Sequence, residues 1–262
     1  MAYKNLFHAQ IGNGIYLIST DTQGKSLLPG KATTNSYLVV GNEKAMLFDL
    51  AVDDPDVKEY VASLTDKPIM LVLSHGHPDH IYHLNRWEEV TLHPADEKFL
   101  HGGLLGMKPV KPFPKLHFLN AGDQIDLGGR ILDVIHIPGH TPGSILLLDR
   151  NSKILLSGDT GARRLLYGIT DFVPFDMFCA SLEELKDLDF EVMYSAHDRC
   201  ALPKEHIDRM LSAIRNDLLH AKKVVPIPLV GKVRCLGIGD EMNLEYFDMA
   251  VLERKGGSHG TV

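Results

Sequence analysis

The sequence predicts an α/β fold of the layered, α+β kind, and two observations carry that prediction. Short β-type runs recur with helical patterns between them, and most of the runs end in a residue cluster suited to chemistry. Layered α/β folds build their sites in loops at strand ends. No composition shift or linker interrupts the pattern, so one domain is expected over 1–254, with 255–262 as a flexible tail.

Taken in order, β-type runs occupy 14–19, 36–40, 45–50, 69–73, 131–137, 145–148, 154–156 and 192–194. Helical patterns fall at 54–64, 181–188 and 204–222. The last places Ile207, Met210, Leu211, Ile214 and Leu218 on one face at three- and four-residue intervals. The stretch 101–114 is rich in Gly and Pro yet carries Leu104, Leu105, Met107 and Phe113. It fits neither a regular element nor a plain solvated loop, and a covering role is expected of it.

Composition narrows the function. The chain has 262 residues, 44% hydrophobic and 23% charged, enough for a sizeable core. A net charge of −7 offers no field for a polyanion, so a small-molecule substrate is expected and nucleic acid is not. Neither a secretory leader nor an apolar run of ~20 residues is present, which points to a cytoplasmic protein without a membrane partner. Cys179, Cys200 and Cys235 are an odd number without C-x-x-C spacing, against both a disulfide framework and a cysteine zinc site. Fourteen histidines are the anomaly, and their placement decides the reading.

The segment Ser74-His75-Gly76-His77-Pro78-Asp79-His80 follows the buried-looking run 69–73, so imidazoles and a carboxylate emerge together from a strand end. Imidazole and carboxylate suit zinc, manganese or iron, and a structural zinc site would favour thiolates. Three further strand ends contribute His140 in a Pro-Gly-His-Thr-Pro-Gly turn, Asp159 in Ser-Gly-Asp-Thr, and His197. Singly these would be a turn residue, a helix cap and a core histidine. Beside the first cluster they read as further ligands.

With these residues in this order, the chain resembles the metallo-β-lactamase fold superfamily. H-x-H-x-D-H stands at His75 to His80, followed by His140, a bridging-type Asp159 and a final His197, over roughly 35–197. The resemblance implies an αββα four-layer sandwich of two similar halves with the metals at one edge. It also implies His75, His77 and His140 on one ion, Asp79, His80 and His197 on the other, and Asp159 between them. Asp49, ending Leu47-Phe48-Asp49, resembles the family's supporting aspartate, which holds the metal loop without being a ligand.

Such a pair of divalent ions, zinc before iron or manganese, would lower the pKa of a shared water from ~15.7 towards neutrality and polarise the bond under attack. Asp79 would then serve as catalytic acid and base. The sequence has no G-x-S-x-G elbow to supply a side-chain nucleophile. A hydrolase of small esters, thioesters or lactones follows. Its alternatives are a mononuclear iron sulfur dioxygenase and a phosphodiesterase of the same fold.

Departures from the family pattern bear on substrate. Ile81-Tyr82-His83-Leu84 replaces the usual Gly pair, which counts against glyoxalase II. Asp159 counts against antibiotic hydrolysis. Ala162 stands where the lactonases of the family carry a tyrosine, for which Tyr167 is a candidate substitute. Leu105 and Phe172, in apolar stretches, are candidate substrate contacts, and Arg163 is a candidate anion contact. The same apolar stretches would alternatively serve a homodimer interface.

Overall fold

The computed structural model describes residues 3, 5–20, 33–103, 108–169, 173–227, 231–239 and 245–252. The tail 255–262, the Leu104, Leu105 and Met107 run, and Phe172 lie outside the described residues. Two sheets carry the expected architecture. The first holds β1 (Leu6–Gly12), β2 (Ile15–Thr20), β3 (Asn35–Val40), β4 (Ala45–Phe48), β5 (Ile69–Val72), β6 (Glu89–Leu92) and β7 (Lys115–Phe118), in chain order. Pairing is antiparallel from β1 to β4 and parallel from β4 to β7. The second sheet contains β8 (Gln124–Asp126), β9 (Ile131–His136), β10 (Ile145–Asp149), β11 (Ile154–Gly158), β13 (Val192–Ser195) and β14 (Leu202–Pro203).

Burial identifies the layers. Leu17, Tyr37, Met46 and Phe48 of the first sheet share one core with Leu132, Val134, Leu147 and Leu156 of the second, so the sheets pack face to face. The outer face of the first sheet buries Leu38, Leu47 and Leu71 in one cluster with Val57, Tyr60 and Val61 of α1 (Val57–Ala62) and Leu100 of α2 (Glu97–Leu100). The outer face of the second buries Leu146, Leu148 and Leu155 against α3 (Phe175–Lys186) and α4 (His206–Ser212). The order helix, sheet, sheet, helix is the αββα arrangement that the sequence implied.

Several elements differ from expectation. The helix expected at 181–188 begins at Phe175, because Phe175, Phe178, Cys179, Leu182 and Leu185 already form one buried stripe and Pro174 stops it from starting earlier. The pattern at 204–222 keeps Ile207, Met210, Leu211, Ile214 and Leu218 buried, but divides into α4, a π turn at Ala213–Asp217 and a 3-10 turn at Leu218–His220. A further four-stranded sheet was not anticipated: β12 (Arg164–Tyr167), β17 (Phe247–Leu252), β16 (Gly231–Ile238) and β15 (Lys223–Ile227). One of its faces joins the α3 and α4 core through Leu165, Leu236 and Met249, leaving Val233 and Ala250 to a small cluster on the other. Pro226 sits in β15, the sheet's last strand, where a missing N–H costs no ladder bond.

His206, the first residue of α4, is fully buried with its ring edge-on to Phe247, and burial pushes its imidazole down to about 4. The unfolded chain's imidazole binds a proton below its ordinary 6.5, which the folded one refuses until about 4, so stability falls as pH drops through that window. Urea unfolding with chelator present should therefore cost the wild type about 2 kcal/mol more between pH 7 and pH 5 than it costs His206→Leu. Equal losses in both proteins would refute this.

Candidate metal centre

Strand direction gathers the site. β4 and β5 are parallel, so Asp49 and the His75 to His80 segment leave the first sheet at the same edge. β9 and β11 are both antiparallel to β10, and β13 is parallel to β11, so His140, Asp159 and His197 leave the second sheet at one edge as well. Backbone hydrogen bonds join the two edges: Ile145 N–H donates to Ser74 O (2.9 Å), and Asn35 N–H donates to Ala196 O (2.8 Å).

Candidate ligand atoms then fall into three overlapping groups among the described residues: His75, His77 and His140; His75, His80 and Asp159; and Asp79, His80 and His197. His140 Nε2 lies 2.7 Å from His77 Nδ1 and 3.1 Å from His75 Nε2. The Asp159 carboxylate reaches both ends of the cluster. Its Oδ1 is 3.0 Å from His80 Nε2 and 3.1 Å from His197 Nε2, while Oδ2 is 3.2 Å from His140 Nε2. Asp79 stands at the rim, its side chain 37% exposed and 3.6 Å from His197 Nε2.

The far side of each ring decides what the near side offers. His140 Nδ1 donates to Leu166 O (2.5 Å), and His197 Nδ1 donates to Thr33 O (2.9 Å), so in the neutral ring Nε2 is the nitrogen each has left to offer a cation. His75 Nδ1 is held by Ser74 Oγ at 2.9 Å, and His80 Nδ1 faces Asp49 Oδ2 at 3.1 Å. With its Nδ1 donating outward, His140 Nε2 has one lone pair facing two ring nitrogens, an arrangement that a shared cation satisfies more fully than a single hydrogen bond. Buried His80 Nε2 and Asp159 Oδ1 face each other at 3.0 Å without a well-formed hydrogen bond, which fits donor atoms arranged around an ion.

Electrostatics divides the cluster. Burial, reinforced by neighbouring imidazoles, holds His75 and His77 well below the ordinary value, and burial lowers His140 too. Burial also opposes charge on His80 and His197, but the nearby carboxylates together outweigh it, Asp159 and Asp49 keeping His80 well above its ordinary value and Asp159 and Asp79 pushing His197 up to about 9. Asp159 is held well below the carboxylate range: burial disfavours its charge, and His197, His80 and His140 more than compensate.

Asp49 lies behind the ligands. Its backbone is left-handed (φ 66°), its Oδ1 accepts from Ser74 N–H (2.6 Å), and its Oδ2 faces His80. The candidate substrate contacts fare differently. Tyr167 is fully buried, stacks on Phe175 and donates its hydroxyl to Val173 O (2.7 Å), so it packs in the α3 core. The Arg163 Nε and backbone N–H both bind the Asp198 carboxylate (2.7 and 3.0 Å), so this candidate anion contact also ties its loop to the turn of His197. Asp198 also accepts from Ser195 Oγ (2.6 Å) and orders the turn that presents His197. In the sequence Asp198 is marked by standing beside His197, whereas Asp96 stands in no ligand motif.

The metallo-β-lactamase superfamily model matches residues 29–197. Acyl-coenzyme A thioesterase MBLAC2 from Homo sapiens is 29% identical over 222 residues, covering 69% of this chain and 76% of the relative. The probable metallo-hydrolase YqgX from Bacillus subtilis is 25% identical over 141 residues, 50% of this chain and 67% of that protein. Among solved structures, a metallo-β-lactamase from Pontibacter korlensis superposes with a TM-score of 0.67 at 17% identity, covering 81% of this chain and 100% of that one. A metallo-β-lactamase family protein from Thermus thermophilus gives 0.61 at 22%, covering 80% and 84%. At those identities the structures establish the fold.

Proposed function

The chain belongs to the metallo-β-lactamase superfamily and is a metal-dependent hydrolase, and from that premise we propose a dinuclear site that cleaves small acyl thioesters. The observation carrying the dinuclear reading is Asp159, whose two oxygens lie within 3.0 to 3.2 Å of His80, His197 and His140, histidines of both outer groups. A carboxylate so placed can serve two ions at once. Divalent ions held there, zinc first, would supply Lewis-acid polarisation of the scissile carbonyl and an acidified water. His75, His77 and His140 would hold one ion, and Asp79, His80 and His197 the other. Asp79, at the exposed rim, can hold a proton on its carboxylate and hand it to the leaving group. The thioester substrate is supported by the relatives named acyl-coenzyme A thioesterases.

Elemental analysis at saturating metal should find about two ions per chain, since seven donors exceed what one ion with an open position uses. Acyl thioesters should turn over faster than matched oxyesters, lactones or phosphodiesters, with activity lost on chelation and restored by Zn²⁺. One ion per chain would overturn the dinuclear reading. Oxyester or phosphodiester turnover without thioester turnover would overturn the substrate.

A further inference from the structure

Outside the ligand groups, one carboxylate touches both of the loops that carry His75, His77 and His140. Asp96 lies after β6, in a 3-10 turn at Pro94–Asp96, and is fully buried. Its Oδ2 accepts from the backbone N–H of Gly76 (3.0 Å), the residue between His75 and His77, and from Thr141 Oγ1 (2.7 Å), next to His140. Its Oδ1 accepts from Gly143 N–H (2.8 Å) in the same turn. The glycines are shaped around it. A Cβ on Gly143 would stand 2.6 Å from Asp96 Oδ1, and one on Gly76 would stand 3.0 Å from the Asp96 carbonyl oxygen.

We propose that Asp96 is a positioning residue that fixes the distance between the His75–His77 loop of the first sheet and the His140 turn of the second, and thereby the affinity of that donor group for its ion. The inference rests on reading His75, His77 and His140 as one ligand set. A carboxylate is required because all three partners donate. In Asp96→Asn either orientation of the amide sets its NH₂ against a backbone N–H, of Gly143 or of Gly76. Glutamate is excluded by the close approach of Gly143. Thr141 also contacts Ser144 Oγ (2.9 Å), so Thr141→Val removes the hydroxyl from this network while leaving both backbone donors in place.

The test titrates Co²⁺ into chelator-stripped protein, following its visible band, with urea unfolding of the same metal-free samples. Asp96→Asn should weaken Co²⁺ binding ~10- to 100-fold, and Thr141→Val several-fold with a near wild-type urea midpoint. Asp149→Asn is the control. Asp149 is another buried carboxylate, at the far end of β10, where it accepts from Asn151 N–H. If Asp96→Asn does not fold, Thr141→Val decides. Wild-type Co²⁺ affinity and band in Thr141→Val, or an equal loss in Asp149→Asn, would overturn the positioning role. A wild type that binds no Co²⁺ would instead overturn the metal reading beneath it.

Discussion

Asp159→Ala is expected to lower kcat/KM by ~10²- to 10⁴-fold and to leave the purified protein short of at least one ion. Loss of a single residue that merely orients a ligand costs ~10- to 100-fold per metal site. Asp159 touches His140 at one end of the cluster and His80 and His197 at the other, so both ends lose an anionic donor together. The charge matters as much as the contact: Asp159 is the largest influence raising His80 and His197 against burial, and two dications without it would face six remaining donors carrying one carboxylate, Asp79. Asp159→Asn separates the two effects, because it keeps the shape and removes the charge. Elemental analysis after gel filtration, run beside steady-state kinetics, checks both. Full loading with normal turnover in Asp159→Ala would remove Asp159 from the site.

What the sequence made legible was whatever repeats or clusters locally. His75, His77, Asp79 and His80 stand within six positions, and β3, β5, β10 and β11 are apolar runs buried between layers, so each announces itself. Strands with weak patterns were lost: β7 is mostly exposed, and β15 opens on two exposed residues and contains a proline. The supporting residues were lost for another reason. Asp96 acts on Gly76 and Gly143, 20 and 47 positions away, so nothing near it in sequence marks its role. For Tyr167, a position a few residues beyond a ligand says nothing about the direction of the ring. After Asp159 the chain turns into β12, which buries that ring under α3. Arg163 likewise gives no sign in sequence of Asp198, 35 positions on, which comes beside it.

Gly158→Ala should damage both the stability of the fold and the site. Gly158 ends β11 with a left-handed backbone (φ +52°), which turns Asp159 out of the strand and towards the histidines. An alanine there incurs a conformational cost of about 1–2 kcal/mol. Its Cβ would also stand 2.5 Å from both Cβ and Oγ of Ser74, where 3.4 Å is ordinary contact. Ser74 cannot swing aside, being buried, with its N–H on Asp49 and its Oγ on His75 Nδ1. Overpacking of this kind costs about 1–3 kcal/mol, for a combined loss of about 2–5 kcal/mol. Relief would come by displacing Ser74, and with it His75, or by displacing Asp159 itself. A misplacement of ~1 Å is enough for a ~10²-fold loss of rate. Gly122 supplies the comparison, since it is also left-handed (φ +84°) but has nothing within 4 Å of an added Cβ. Gly122→Ala should therefore lose only the conformational part, with kcat/KM and metal content intact. Thermal unfolding and kinetics of the two variants decide the matter: if Gly158→Ala matches Gly122→Ala in both, the close approach to Ser74 plays no part in holding Asp159 in place.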